Sequence, residues 1–258
     1  MALLEVNEVV RDFGGLRAVN DFTLNIEPGE IVGLIGPNGA GKTTVFNLIT
    51  GIFPCTAGTI YFKGQNLESM MPFKIAQLGI ARTFQNIRIF KDMTVLDNIR
   101  SVIHPRIKYN LLDSMIHDPK YKKEEEAVTQ FSLDLLETMN LYDRWDLKAG
   151  SLPYGDQRRL EIARALAIQP SLLLLDEPAA GMNPFEVAKL VELIKFVKGR
   201  FNLTVLLIEH QMGLVMNTCE RLVVMDFGQV IARGLPEEIR TNPQVLEAYL
   251  GKGAAAGL

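Results

Sequence analysis

Gly36-Pro37-Asn38-Gly39-Ala40-Gly41-Lys42-Thr43 lies between an apolar run, Glu30 to Ile35, and a helical pattern, Thr43 to Thr50. It fits the pattern G-x-x-x-x-G-K-[ST], and the order of strand, glycine loop and helix matters as much as the letters. A tight glycine loop after a strand turns successive backbone N–H groups onto a phosphate. The following helix adds its positive N-terminal end. Lys42 would reach the β- and γ-phosphates, and the Thr43 hydroxyl would hold Mg²⁺. The stretch implies a nucleoside triphosphate ligand.

The rest of the chain is compatible with such a ligand. Its 258 residues suffice for one large α/β domain, or for a core with an inserted subdomain. A formal charge of −3 gives no global basic field to attract nucleic acid. Cys55 and Cys219 provide no disulfide framework and are expected to behave as small apolar residues. The opening Met1-Ala2-Leu3-Leu4-Glu5-Val6-Asn7-Glu8 carries acids where a signal peptide needs unbroken apolar sequence. No apolar run approaches the roughly 18 residues of a bilayer span, so any membrane role is expected to be peripheral.

Three tracts follow one another. Short β-type runs, Leu3–Val10, Ala18–Ile26, Glu30–Ile35 and Thr59–Phe62, alternate with turns at the start. From about Pro72 to Ile168 the pattern is mainly helical. There Val128, Phe131, Leu135 and Met139 make Lys122–Asn140 an amphipathic helix. Strands then return: Leu172–Leu175, a helix over Phe185–Lys198, and a strand over Thr204–Ile208. This alternation predicts a mostly parallel sheet covered on both faces. Leu222–Met225 and Gln229–Ala232, separated by Asp226-Phe227-Gly228, predict a terminal hairpin. Residues 251–258 are small and weakly patterned, and are expected to be a disordered tail.

Leu172-Leu173-Leu174-Leu175-Asp176-Glu177-Pro178 describes a buried strand that ends by presenting two carboxylates. In an open α/β sheet, ligands bind at that edge. Asp176 is placed to hold the Mg²⁺ hydration shell, and Glu177 to orient or deprotonate an attacking water.

Three further elements resemble those of ABC-type ATPases. Ser151-Leu152-Pro153-Tyr154-Gly155-Asp156-Gln157 is similar to the family's signature motif, usually L-S-G-G-Q. Gln85, in Arg82-Thr83-Phe84-Gln85-Asn86, matches the Q-loop, and His210, after Leu207-Ile208-Glu209, matches the histidine switch. The order is the family's, and the resemblance covers nearly the whole chain. It implies an α/β fold: a P-loop NTPase (RecA-like) core with an N-terminal antiparallel β subdomain and an inserted α-helical signature subdomain. Residues 1–250 would form one ABC ATPase domain, with 1–85 and 170–250 as the core and 86–169 as the helical insert. ATP and Mg²⁺ are the implied cofactors. Gly36, Pro37, Asn38, Gly39, Ala40, Gly41, Lys42, Thr43 and Thr44 would bind ATP, and Phe13 would stack on its adenine. Thr43, Gln85 and Asp176 would hold Mg²⁺, while Glu177, His210 and Gln85 carry out hydrolysis.

The resemblance also implies a pair of ATPase subunits. Leu152, Pro153, Tyr154, Gly155 and Asp156 of each would face the ATP held by the other, with the helix dipole directed at its γ-phosphate. Two residues depart from the pattern. Pro153 replaces a serine and supplies neither hydroxyl nor N–H. Asn183, in Ala180-Gly181-Met182-Asn183, replaces an acid; its amide can hydrogen-bond across the interface but cannot act as a charge. With a different subunit opposite, the two ATP sites would be chemically unequal.

Leu152-Pro153-Tyr154-Gly155-Asp156-Gln157 through Arg164, together with Asp176 through Pro184, resembles the branched-chain amino acid importers, specifically their larger ATPase subunit. Arg82-Thr83-Phe84-Gln85 and Ala248-Tyr249-Leu250-Gly251 agree with that group, and His104–Glu126 resembles its insertion. The alternatives are a cassette for urea or amide import, for lipopolysaccharide export, or for a task outside transport. Implied partners are a second ATPase subunit, different or identical, and membrane permeases, with a solute-binding protein acting indirectly. No nucleic acid is expected. The implied location is cytoplasmic, at the inner face of the cell membrane, touching it only through the permease. Asn86–Val95, with Ile87, Ile89, Phe90 and Met93, offers apolar anchors for a permease helix.

Overall fold

A computed structural model describes residues 2–103 and 119–250. The expected tail at 251–258, and residues 104–118 of the expected insertion, lie outside the described residues. The chain divides into two compact units, one comprising residues up to Gln85 and from Ser171 onward, the other Asn86–Pro170.

The first unit contains two sheets. An antiparallel sheet has the order β2-β1-β4-β5, formed by β1 (Leu4–Phe13), β2 (Leu16–Ile26), β4 (Ala57–Phe62) and β5 (Gln65–Asn66). Leu4 sits opposite both Ile26 and Phe62, so β1 is the central strand. Bulges near Val9 shift the alternation, and Val19, Phe22, Leu24 and Ile26 still reach the core.

The second sheet has the order β10-β9-β3-β8-β7-β6. Its strands are β3 (Ile31–Ile35), β6 (Ile80–Arg82), β7 (Leu172–Asp176), β8 (Thr204–Ile208), β9 (Arg221–Asp226) and β10 (Gln229–Gly234). All are parallel except the β9–β10 hairpin. Every residue of β3, β7 and β8 is buried. That explains their uninterrupted apolar runs, since both faces of a parallel sheet are covered. The pairing brings the C-terminal ends of β3, β8, β7 and β6 to one edge, where ligands bind in such sheets.

The strand β6 adds to the sequence reading, which described the tract from about Pro72 to Ile168 as mainly helical and placed no strand in it. Gly79, with φ of 108°, ends α2 (Pro72–Leu78), and Ile80–Arg82 then pairs with Leu172–Leu174. Three residues are too few for a period of two to register. The other helices of this unit are α1 (Lys42–Ile49), α6 (Pro184–Phe201), α7 (Met212–Thr218), α8 (Pro236–Arg240) and α9 (Pro243–Leu250).

The second unit is helical among its described residues: α3 (Val95–Ile103), α4 (Pro119–Thr138) and α5 (Tyr154–Ala167), with single turns at Tyr142–Arg144 and Ala149–Ser151. The charged run Lys120–Glu126 forms the first turns of α4. Proline suits a first helical position because its missing N–H would be unpaired there. Asn140, with φ of 55°, follows the helix end.

Asn183, one of the two departures from the family pattern, has a local role in the fold. It caps α6: its side-chain oxygen accepts the Glu186 N–H at 3.0 Å, and the Glu186 carboxylate accepts the Asn183 N–H at 2.9 Å. This reciprocal pair engages the side-chain oxygen and the backbone N–H of Asn183 in a capping box. Asn183→Ala should cost about 1 kcal/mol in denaturant unfolding, and Asn183→Asp should retain most of that stability. Equal stability of Asn183→Ala and wild type would exclude the cap as a contributor.

Candidate functional site

The glycine loop joins β3 to α1 at the sheet edge. Gly36 has φ of 148°, and a Cβ there would stand 2.0 Å from the Met225 carbonyl oxygen. Gly41, with φ of 100°, passes so close to β2 that a Cβ would meet the Ala18 carbonyl oxygen at 2.5 Å. Only glycine fits either position. Lys42 opens α1 and is buried, and its Nζ donates to the carbonyls of Gly36 at 2.7 Å and Pro37 at 2.8 Å. Burial pulls its pKa below the usual lysine value, and the charges of Glu177 and Asp176 oppose that fall.

The loop forms one wall of a cleft of about 680 Å³. Asn38 to Thr44 line it with Gln85, Glu177, Phe13, Leu16, Arg17, Ala18, Phe227 and Gly228. That volume is in the range of small-molecule sites. Phe13 is 38% exposed. Arg11 lies over its ring at 4.5 Å from the centroid, and the Phe53 ring meets it edge-on with centroids 5.2 Å apart.

Glu177 lies just beyond β7 with φ of 46°. A glutamate held in the left-handed region is strained, and such strain concentrates at functional positions. Gln85 Nε2 donates to Glu177 Oε2 at 2.8 Å, and His210 Nδ1 lies 3.8 Å from the same oxygen. Residues far apart in sequence thus converge on one carboxylate beside Lys42. Below His210, the buried Glu209 carboxylate accepts N–H groups of Ala179 at 2.9 Å, His210 at 2.9 Å and Gln211 at 3.0 Å. It ties the turn after Glu177 to the end of β8.

Asp176 is paired with a residue that sequence reasoning did not assign to the site. Arg82 Nη2 donates to Asp176 Oδ2 at 2.7 Å, with both side chains nearly fully buried. Arg82 Nη1 donates to Asn47 Oδ1 at 2.7 Å, joining α1 to β7. Burial raises the Asp176 pKa, and Arg82 and then Lys42 oppose that rise. The signal was present in Arg82-Thr83-Phe84-Gln85, but only the fold shows which acid the arginine meets. Tyr249 on α9 was likewise missed. Burial raises its hydroxyl pKa, and the Gly36 N–H hydrogen-bonds it and opposes the rise.

Thr43, Gln85 and Asp176 present a hydroxyl, an amide oxygen and a carboxylate. These hard oxygen donors suit Mg²⁺, which keeps several waters and is completed by phosphate oxygens. Among the described residues no cluster of three or more His, Cys, Asp or Glu could hold a metal alone. Thr43, Gln85 and Asp176 would suit such an ion completed by oxygens of a bound phosphate. Cys219 is buried, and its thiol is pushed up to about 12.

The predicted signature residues belong to the second unit. Leu152 is buried, Pro153 immediately precedes α5, and Tyr154 is 47% exposed. Asp156 is paired with Arg144 and, at 3.5 Å, with Arg159. Gln157 Nε2 donates to the Leu152 carbonyl at 2.8 Å, fixing the turn into the helix. No helix among the described residues is long and apolar enough to cross a membrane.

Comparison with known proteins places these features among relatives. The profile of the family described as ABC transporter matches residues 19–180. That described as branched-chain amino acid ATP-binding cassette transporter matches residues 229–255. The chain is 46% identical over 250 residues to the high-affinity branched-chain amino acid transport ATP-binding protein LivG of Escherichia coli K12, covering 97% of this chain and 98% of that one. It is 45% identical over the same shares to the corresponding protein BraF of Pseudomonas aeruginosa. Among solved structures, the ADP conformation of MJ1267, an ATP-binding cassette of an ABC transporter, superposes with a TM-score of 0.84 at 33% identity. It covers 98% of this chain and all of that one.

Proposed function

The chain belongs to the ABC transporter ATP-binding proteins of the branched-chain amino acid type, and from that premise we propose that its cleft binds ATP with Mg²⁺ and cleaves the γ-phosphate. The supporting observation is the convergence of Gln85 and His210 on one Glu177 carboxylate oxygen, in a cleft lined by the lysine of a phosphate loop. The loop N–H groups and the start of α1 bind phosphate, and Lys42 adds a charge-assisted contact. Gln85 orients the Glu177 carboxylate, whose oxygen takes a proton from the attacking water. His210, 51% exposed at its side chain, is positioned to contact the same reacting region. Thr43, Gln85 and Asp176 would hold Mg²⁺, which neutralises charge on the phosphate oxygens when bound. Arg82 keeps the Asp176 carboxylate in one orientation.

Leu152–Asp156 and the start of α5 serve the nucleotide of a second ATPase subunit, and that subunit's equivalent segment completes this cleft. Pro153 donates no N–H there, so Gly155 and the helix end carry the contact. The second subunit is a related cassette or another copy of this chain. ATP cleavage powers uptake of branched-chain amino acids through a separate permease at the inner face of the cell membrane. Phosphate release by the purified chain, alone and with a second cassette, tests the reading. The rate per chain should rise with cassette concentration; no release with either preparation would exclude it.

Permease coupling is assigned to Asn86–Val95. Phe90 is 51% and Met93 41% exposed, while Val95 is fully buried, which separates anchor positions from core. Arg164 lies over the Phe90 ring at 4.8 Å from its centroid. Phe90→Ala should preserve folding and ATP turnover of the isolated chain and lower transport per ATP several-fold, in line with loss of an interface anchor of about 1–2 kcal/mol. Unchanged transport in proteoliposomes would assign the ring to local packing.

A further inference from the structure

Asp226 pairs with Gln229, so the β9–β10 hairpin closes through Phe227 and Gly228 alone. Both have positive φ, 42° and 80°. A two-residue turn with positive φ at both positions is type I′, and its first position favours Asn, Asp or Gly. Phenylalanine has no polar atom to stabilise this conformation, so Phe227 carries local strain. No other aromatic among the described residues has positive φ. Burial does not compensate, since Phe227 is 88% exposed. Strain and exposure in one large apolar residue direct attention to what the ring faces.

The turn is fastened to the phosphate loop. Gly228 N–H donates to the Ala40 carbonyl at 3.0 Å, and Asn20 N–H donates to the Gly228 carbonyl at 2.9 Å. Gly228 lies so close to β2 that a Cβ there would meet the Ala18 carbonyl oxygen at 2.9 Å. These contacts hold Phe227 on the lining of the nucleotide cleft, with Phe13 and Leu16. Lys42, Thr43 and Thr44 supply the phosphate-binding chemistry of the cleft. Phosphate and metal have no use for exposed aromatic rings, whereas a purine base does.

We propose that Phe227 is a second aromatic contact for the nucleotide base, beside Phe13. The proposal rests on the cleft being an ATP site and adds a residue that sets affinity for the base. The ring stands at a turn position that Asn would suit better, and base binding accounts for its presence.

Phe227→Asn tests this because folding and binding should respond in opposite directions. Asn suits the turn, so the melting temperature should equal or exceed that of wild type. ATP affinity, measured calorimetrically with Mg²⁺, should fall about 5- to 10-fold, as expected for loss of one aromatic contact. Affinity for inorganic tripolyphosphate, which lacks the base, should not change, and Phe227→Tyr should bind ATP like wild type. Unchanged ATP affinity in Phe227→Asn would overturn the proposal. Equal weakening of ATP and tripolyphosphate would also overturn it, by assigning the ring to support of the phosphate loop. So would intact ATP binding with loss of ATP-driven association, which would make the ring a subunit contact. Wild-type protein that binds neither ATP nor tripolyphosphate would instead defeat the underlying nucleotide-site reading.

Discussion

Glu177→Gln is expected to lower ATP turnover by about 10²–10⁴ while leaving ATP bound. The substitution keeps the size and planarity of the side chain and removes its basicity. Glu177 Oε2 accepts the Gln85 amide at 2.8 Å. A glutamine at this position can present its own carbonyl to that donor, so the cleft geometry is preserved. The positive φ of 46° at Glu177 is a backbone constraint that both side chains experience. The loss should therefore fall on the chemical step alone. Single-turnover cleavage of labelled ATP, with nucleotide retention measured in parallel, separates the two effects. Cleavage at the wild-type rate would remove Glu177 from the role of base.

Lys42→Ala should abolish tight ATP binding, lowering affinity by about 10–10² or more. One charge-assisted hydrogen bond to phosphate contributes roughly 1.5–3 kcal/mol. A second effect acts in the same direction. Lys42 is the cation whose charge interacts with both Glu177 and Asp176, and whose Nζ bridges the Gly36 and Pro37 carbonyls. Truncation leaves two carboxylates nearer the incoming phosphates without that compensation, and two loop carbonyls without their donor. Fluorescent-nucleotide titration provides the measurement. An affinity equal to wild type would show that the backbone cradle suffices.

The parts of this architecture that were legible in sequence are those fixed by local chemistry. The buried strands β3, β7 and β8 are largely apolar runs that lead directly, or within two residues, to a residue the chemistry needs: Gly36, Asp176 or His210. Their boundaries in sequence and structure agree within one or two residues. β6 was not legible, because Ile80–Arg82 is too short for a period and exists only by pairing with β7. The Arg82–Asp176 pair spans 94 positions, and nothing local connects its members. Glu209 could be seen in sequence only as the neighbour of His210. Two of its backbone hydrogen bonds are local, to His210 and Gln211, but the third depends on where the turn at Ala179 folds back. The Asn183 cap shows only in the fold, where Glu186, three residues on, closes a capping box with it. Phe227 sat between two correctly placed strands, and only its backbone angle and exposure distinguish it from an ordinary turn residue.

The central claim is that ATP cleavage at Glu177 of this chain drives solute uptake. It is tested most directly by uptake of labelled leucine, isoleucine or valine into proteoliposomes that contain the assembled transporter and face ATP on the cassette side. With Glu177→Gln in this chain, uptake should fall at least about 10²-fold, matching the loss of turnover, while the complex retains ATP. Uptake at the wild-type rate with Glu177→Gln in place would contradict the account.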